Sequence, residues 1–290
     1  MGQRNAGIAI TIMIVVAVLG TVDAVIVRLL AHDIHPFFMG FSRSVFGLLI
    51  MLPWIIRQPQ ILKTDRYWLH ILRAALKLVA LISLFAALAH AALATVTTIS
   101  FAAPFFVILG AWLFLSEKLY LARILAVIAG FSGVVIVLNP GSGMLNAALG
   151  FALLSAVATA TIQLILKYMG RSEATDTLVA WNLIVTVPLA LIPAIWFWAN
   201  PSAYQWVLLA IQGINGAAAQ LFVTKAFQLA DASLIAPVDF ARLPFVAIIG
   251  FWAFGEFPSH STWLGAAMIF VALMLTAYSG RNTDLKHGQL

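Results

Sequence analysis

From Ala6 to Thr276 the chain is a succession of apolar runs, each about 20 residues long, divided by short polar stretches such as HDIHP, RQPQILKTDR, NPGSG, GRSEATD and GEFPSH. An α-helix rises about 1.5 Å per residue, so a run of that length crosses the hydrocarbon core of a bilayer. Spans are predicted at 7–29, 36–56, 67–89, 92–115, 121–138, 147–168, 176–199, 204–228, 232–254 and 262–279. The tightest turns fall at 90–92 and 229–231. Hydrophobic residues are 63% of the 290 and charged residues 9%, where a soluble domain has about half and about a quarter. That excess has no water-soluble core to enter. The expected fold class is an all-α integral membrane protein of about ten transmembrane helices.

The formal charge of +6 would suit nucleic acid, but its placement argues against such a partner. With ten spans, alternate loops share a side with both termini. That side collects Arg4, Arg57, Lys63, Arg66, Lys118, Arg123, Lys167, Arg171, Arg281 and Lys286, and the opposite side has Arg28 at its edge. The positive-inside rule then puts both termini in the cytoplasm of a multi-pass protein of a bacterial-type inner membrane. Trp54, Trp68, Trp196, Trp206 and Trp263 fall near span ends, where an aromatic belt meets lipid. The first span reads as a membrane helix rather than a cleaved signal, being too long and lacking a small-residue cleavage site. With no cysteine there is no thiolate metal site or disulfide framework.

A second pattern is internal. FAAPFFVILGAWLFLSE (101–117) and ARLPFVAIIGFWAFGE (241–256) share Pro104/Pro244, Phe105/Phe245, Gly110/Gly250 and Trp112/Trp252, and after one deletion Glu117/Glu256. The same offset carries FAALAHAALA (85–94) onto KAFQLADASL (225–234). The unit is therefore five spans, 1–140 and 141–290. An odd unit enters the membrane upside down in its second copy, which is the inverted-repeat construction of many secondary transporters. Each half resembles the EamA-type module of the drug/metabolite transporter superfamily, in the Ala-rich end of its third helix, the fourth-helix proline, the LSE or FGE close and GFSGVVIVLNPG (130–141). The resemblance implies a cavity walled by spans one to four and six to nine, with five and ten outside.

Charges inside the spans mark the candidate site, because they are costly in hydrocarbon and normally face partners or water. Asp23 and Arg43 lie about 9–10 Å deep from the outer side and match as a pair. Asp239 and Arg242, at i and i+3, share a helix face, and Lys77 reaches a depth similar to that of Arg242. Arg73 is near enough to the inner surface to snorkel. Three cations beside one carboxylate favour an anionic group on the substrate. The repeat counterparts Ile99, Ala102 and Ala217 are uncharged, so the charge orients an asymmetric cargo. Gln163, Asn182, Gln212, Asn215 and Gln220 supply amides, and Thr95, Thr97, Thr98 and Ser100 supply hydroxyls. All of these serve equally as interhelical glue. Phe101, Phe105 and Trp181 are candidates for an apolar wall or for plain packing. Pro104 and Pro244 are predicted kinks and hinges. Glu117 and Glu256 read as caps of the helices that follow them.

No GxxxxGK[ST] pattern is present for ATP, so a gradient of substrate or protons would drive transport. No HExxH or GxSxG appears, and neither catalytic residues, a metal nor a cofactor is assigned. The expected function is a secondary carrier moving a small carboxylate-bearing, amino-acid-like metabolite by alternating access, with export favoured. The alternative is uptake of a vitamin or an S-adenosylmethionine-like metabolite. A membrane enzyme or a channel is the rival of another class; a channel would want a ring of like groups. Oligomeric state is left open.

Overall fold

The computed structural model describes residues 3–115, 121–138, 147–169, 173, 175–229 and 236–287. Among these there is no strand. The helices are α1 (Gln3–Leu30), α2 (Pro36–Arg57), α3 (Tyr67–His90), α4 (Leu93–Ser100), α5 (Ala103–Leu115), α6 (Leu121–Leu138), α7 (Ala147–Met169), α8 (Thr175–Trp196), α9 (Ala203–Leu229), α10 (Arg242–Phe254) and α11 (His260–His287), with 3₁₀ turns at Pro59–Leu62 and Ala236–Ala241. Seven stretches are long and apolar enough to span a membrane, α4 and α5 together making one of them. The shorter apolar helices 124–138 and 260–275 and the segment 236–254 stand at the places of the other three predicted spans. Local chemistry sets the ends. Pro36 opens α2 where a missing N–H costs nothing, while His35 Nδ1 accepts the Phe37 N–H at 3.3 Å. Gly255, at φ 65°, closes α10 in a conformation that residues with a Cβ rarely adopt.

Spans four and nine depart from the continuous helices predicted at 92–115 and 232–254. The fourth breaks at Phe101–Ala102 and the ninth changes from a 3₁₀ turn to an α-helix at Arg242. Pro104 has no N–H to give the Ser100 carbonyl, nor Pro244 the Phe240 carbonyl, so each helix restarts with its proline in the first turn. The kinks expected at the two prolines coincide with changes of helix type at matching points of the two halves, a two-residue turn in the fourth span and a 3₁₀-to-α switch in the ninth. Broken spans of this sort line the substrate sites of many carriers.

Helix packing repeats the same symmetry. If spans one to five correspond to six to ten, the packing of α1 on α9 corresponds to that of α7 on α3. The contact of α2 with α9 corresponds to that of α8 with α3, and α4–α5 on α7 to the 3₁₀ turn and α10 on α1. The pairs α2–α8 and α6–α11 map onto themselves. The α6–α11 seam is a backbone approach: a Cβ on Gly265 would lie 2.5 Å from the Gly133 carbonyl oxygen, and one on Gly133 2.8 Å from that of Gly265. In lipid, where apolar side chains gain nothing by meeting, such close approach is a main source of helix association.

Candidate functional site

The two breaks meet inside the bundle. The Phe101 ring lies 4.7 Å from that of Phe240, and Phe240 lies 5.1 Å from Phe270 of α11. Beside them Arg242 opens α10 and its Nη2 donates to Asp239 Oδ1 at 3.0 Å. The guanidinium rests on Gly20 of α1, where a Cβ would come within 2.6 Å of Nε. That Nε is buried without an acceptor among the described residues. Three residues along α1, on the same face, Asp23 accepts a hydrogen bond from Arg43 Nη1 of α2. Arg43 in turn lies on Gly216 of α9, with a Cβ there 2.6 Å from Nη2, and stands 5.9 Å over the Phe85 ring. The sequence separated these pairs into an outer and an inner group. Gly20 and Asp23 bring them within one helical turn.

Lys77, expected at the depth of Arg242, lies on α3 one helical turn beyond Arg73. It is half-buried and has no ion-pair partner among the described residues. Gln163 and Gln220 are exposed, on α7 and α9, and Asn182 is half-buried on α8. Among the other polar candidates, Asn215 Nδ2 donates to the Leu19 carbonyl at 2.7 Å, and the Gln212 amide is fully buried with neither atom hydrogen-bonded to any described residue. Thr98 and Ser100 donate to carbonyls of their own helix. Phe105 is fully buried against Gly130 and is packing rather than wall.

Trp181 lies away from the breaks, on the face that carries both termini. Its Nε1 donates to the Leu62 carbonyl at 3.1 Å, and its ring stacks on His70 at 5.5 Å. Sequence reasoning missed the group around it. His70 Nε2 is 2.8 Å from Glu173 Oε2, Thr64 Oγ1 donates to Glu173 Oε1 at 2.5 Å, and the buried Arg73 donates through Nη2 to the Leu178 carbonyl. Arg73 does not snorkel; it is 2% exposed. These contacts tie the α2–α3 connection and α3 to the α7–α8 connection and α8.

The opposite face holds a different clasp. Arg28 Nη2 donates to Glu256 Oε1 at 2.6 Å, and its Nη1 to the Leu88 and Ala91 carbonyls at 2.8 and 3.3 Å. Glu256 Oε2 accepts the Leu93 N–H at 2.8 Å. Glu256 therefore caps α4, far away in sequence, and not the α11 that follows it, whose first turn is held by Ser259 Oγ accepting from the Thr262 N–H. Glu117 lies outside the described residues. On the same face a cavity of about 410 Å³ opens between the α1–α2 and α8–α9 connections, lined by Asp33, His35, Phe197, Trp198 and Gln205 among others. Gln205 Nε2 donates to Asp33 Oδ2 at 2.9 Å, and His35 stacks on Phe197 at 3.9 Å. Loss of water around the His35 ring holds its pKa below the ordinary 6.5, although an edge stays exposed.

Broken paired helices, an internal two-fold and ion pairs seated inside the bundle define a multi-pass membrane transporter for a small molecule. The EamA-like transporter family matches twice, over residues 7–139 and 146–278, and the chain belongs to that family. It is 30% identical to the S-adenosylmethionine uptake transporter of Rickettsia prowazekii (strain Madrid E), covering 92% of this chain and 91% of that one. It is 33% identical to the riboflavin transporter of Brucella anthropi, covering 81% and 85%. A crystal structure at 17% identity superposes with a TM-score of 0.61 over 97% of this chain and 98% of its own, a likeness of fold.

Proposed function

We propose that this protein is an uptake carrier for a carboxylate-bearing, zwitterionic metabolite of the S-adenosylmethionine class. The expectation of export gives way to import, because two sets of relatives at 30% identity or more are named for uptake or transport of S-adenosylmethionine and riboflavin. One observation carries the substrate class. Asp23–Arg43 and Asp239–Arg242 meet α1 one turn apart, at Asp23 and Gly20, and Lys77 adds a positive charge with no ion-pair partner among the described residues. The surplus cation suits an α-carboxylate, and the two aspartates suit an ammonium and a sulfonium. Phe101 and Phe240 offer a flat ring a stacking surface.

In this reading the halves 1–140 and 141–290 rock about the breaks at Pro104 and Pro244. The terminal face, richer in Lys and Arg, is cytoplasmic, and a substrate or proton gradient drives the cycle. A flat vitamin such as riboflavin is the second reading, supported by the same aromatic pair and the riboflavin-transporter relatives. Uptake of labelled S-adenosylmethionine and labelled riboflavin by bacterial cells expressing the protein tests both. Saturable S-adenosylmethionine uptake that excess riboflavin leaves unchanged supports the first. Riboflavin uptake alone replaces it with the second, and neither above background refutes both.

A further inference from the structure

Along α3, His70, Arg73 and Lys77 stand at i, i+3 and i+7, on one helix face, and cover about 10 Å from the terminal face toward the centre. His70 and Arg73 are 0% and 2% exposed, and Lys77 is half-buried. They form an electrostatic chain. Glu173 pairs with His70 at 2.8 Å, and Arg73 stands between His70 and Lys77 on the same face. Arg43, over Phe85 of the same helix, joins α3 to Asp23 in the central site.

Among the described residues the chain has two permanent cations, Arg73 and Lys77, against one carboxylate, Glu173, whose Oε2 is buried without a hydrogen bond. Glu173 is its one carboxylate at the terminal face, held by Thr64 Oγ1 at 2.5 Å and lying 2.8 Å from His70 Nε2. Arg73 Nε is buried with no acceptor among the described residues, and Lys77 has no ion-pair partner among them. Buried donors left this way cost stability unless something supplies acceptors. The repeat offset maps the three positions onto Ala210, Gly213 and Ala217. The corresponding acid, Asp33, meets only the Gln205 amide and the exposed His32. The cationic track therefore exists on one face and has no counterpart across the two-fold.

We propose that this face of α3 is the cytoplasmic half of the substrate path, an anion track that receives the substrate's carboxylate from the central site. Glu173 is the internal anion that occupies its mouth. Glu173 belongs to the second repeat and His70 to the first, so rocking the repeats apart withdraws the one carboxylate as the path opens. The cations it leaves are then satisfied by the cargo. The track rests on the carboxylate-bearing substrate proposed above.

The test uses purified full-length protein in nanodiscs, with acetate as the probe in place of a substrate. Replacing chloride with about 100 mM acetate should raise the Tm of Glu173→Gln by several degrees, while leaving wild type and Glu173→Gln/Lys77→Met nearly unchanged. A Glu173→Gln protein indifferent to acetate overturns the track. Should that variant not fold, Lys77→Met decides in its place. It should raise the KM for S-adenosylmethionine about tenfold at unchanged Tm, with Lys77→Arg restoring it; an unchanged KM overturns the track. A wild type that carries no S-adenosylmethionine, beside a Glu173→Gln variant stabilised by acetate, would refute the substrate reading and leave the track standing.

Discussion

The Arg28–Glu256 clasp joins four elements at the face opposite the termini: the end of α1, the last carbonyls of α3, the first N–H of α4 and the end of α10. It should hold that face closed. Glu256→Gln keeps an oxygen for the Leu93 N–H but removes the charge that binds Arg28. A hydrogen bond to a charged group contributes about 1.5–3 kcal/mol, and side chains 23% and 14% exposed put this pair toward the lower end. Since about 1.4 kcal/mol is tenfold in an equilibrium, Glu256→Gln should raise the open population roughly tenfold. Glu256→Ala also orphans the Leu93 N–H, at about 1–3 kcal/mol more, and should open the face further. The protein has no native cysteine, so Thr95→Cys is a clean reporter. Its hydroxyl lies 3.1 Å from that of Thr262 behind the clasp. Labelling with a membrane-impermeant maleimide should quicken in the order wild type, Glu256→Gln, Glu256→Ala. Equal rates in three folded proteins would show that the clasp does not gate this face.

Arg242→Gln should lower stability by about 1.5–3 kcal/mol by leaving Asp239 unpaired, and Asp239→Asn/Arg242→Gln should recover most of it without recovering uptake; a transporting double mutant would make the pair structural. Gly265→Ala drives a Cβ to 2.5 Å from a backbone oxygen and should cost about 1–3 kcal/mol, read as a lower Tm; an unchanged Tm would mean α6 and α11 are free to separate. Because His35 binds its proton less readily in the fold than in the unfolded chain, the packing around it is fully favoured above pH 6.5 and weakens as pH falls below that value. Wild type should thus lose Tm relative to His35→Phe between about pH 7 and 5, and parallel pH profiles would contradict this. A cytoplasm-reading reporter fused at Leu290 should be active, and one in the 139–146 loop silent; the reverse pattern would invert the orientation.

The architecture was readable because lipid leaves little choice: apolar runs of span length become helices, and the Pro104/Pro244 match located the symmetry. The depth of the interruption was not readable, since a proline in an apolar run is equally compatible with a kink. The Asp23–Arg43 pair could be foreseen from matched depth and the Asp239–Arg242 pair from its spacing, but their convergence could not. It depends on Gly20 and Gly216 of neighbouring helices, whose value as seats for guanidinium groups appears only in three dimensions. His70 and Glu173 escaped notice, and Arg73 was read as snorkelling, for a related reason. Near a span end, a charged residue reads as interfacial, and only the packing of α8 over α3 encloses them. Glu256 was seen but assigned to the wrong helix, because capping was sought in the sequence that follows rather than across the bundle.

The central claim is that this chain is a carrier whose inner charges hold its cargo. Counterflow measures that most directly. Proteoliposomes loaded with unlabelled S-adenosylmethionine and diluted into a trace of the labelled compound should accumulate label transiently above equilibrium. The overshoot should shrink in Lys77→Met and be lost in Asp239→Asn/Arg242→Gln, both folded. Label that only equilibrates in wild type, or overshoots equally in both variants, would contradict the account.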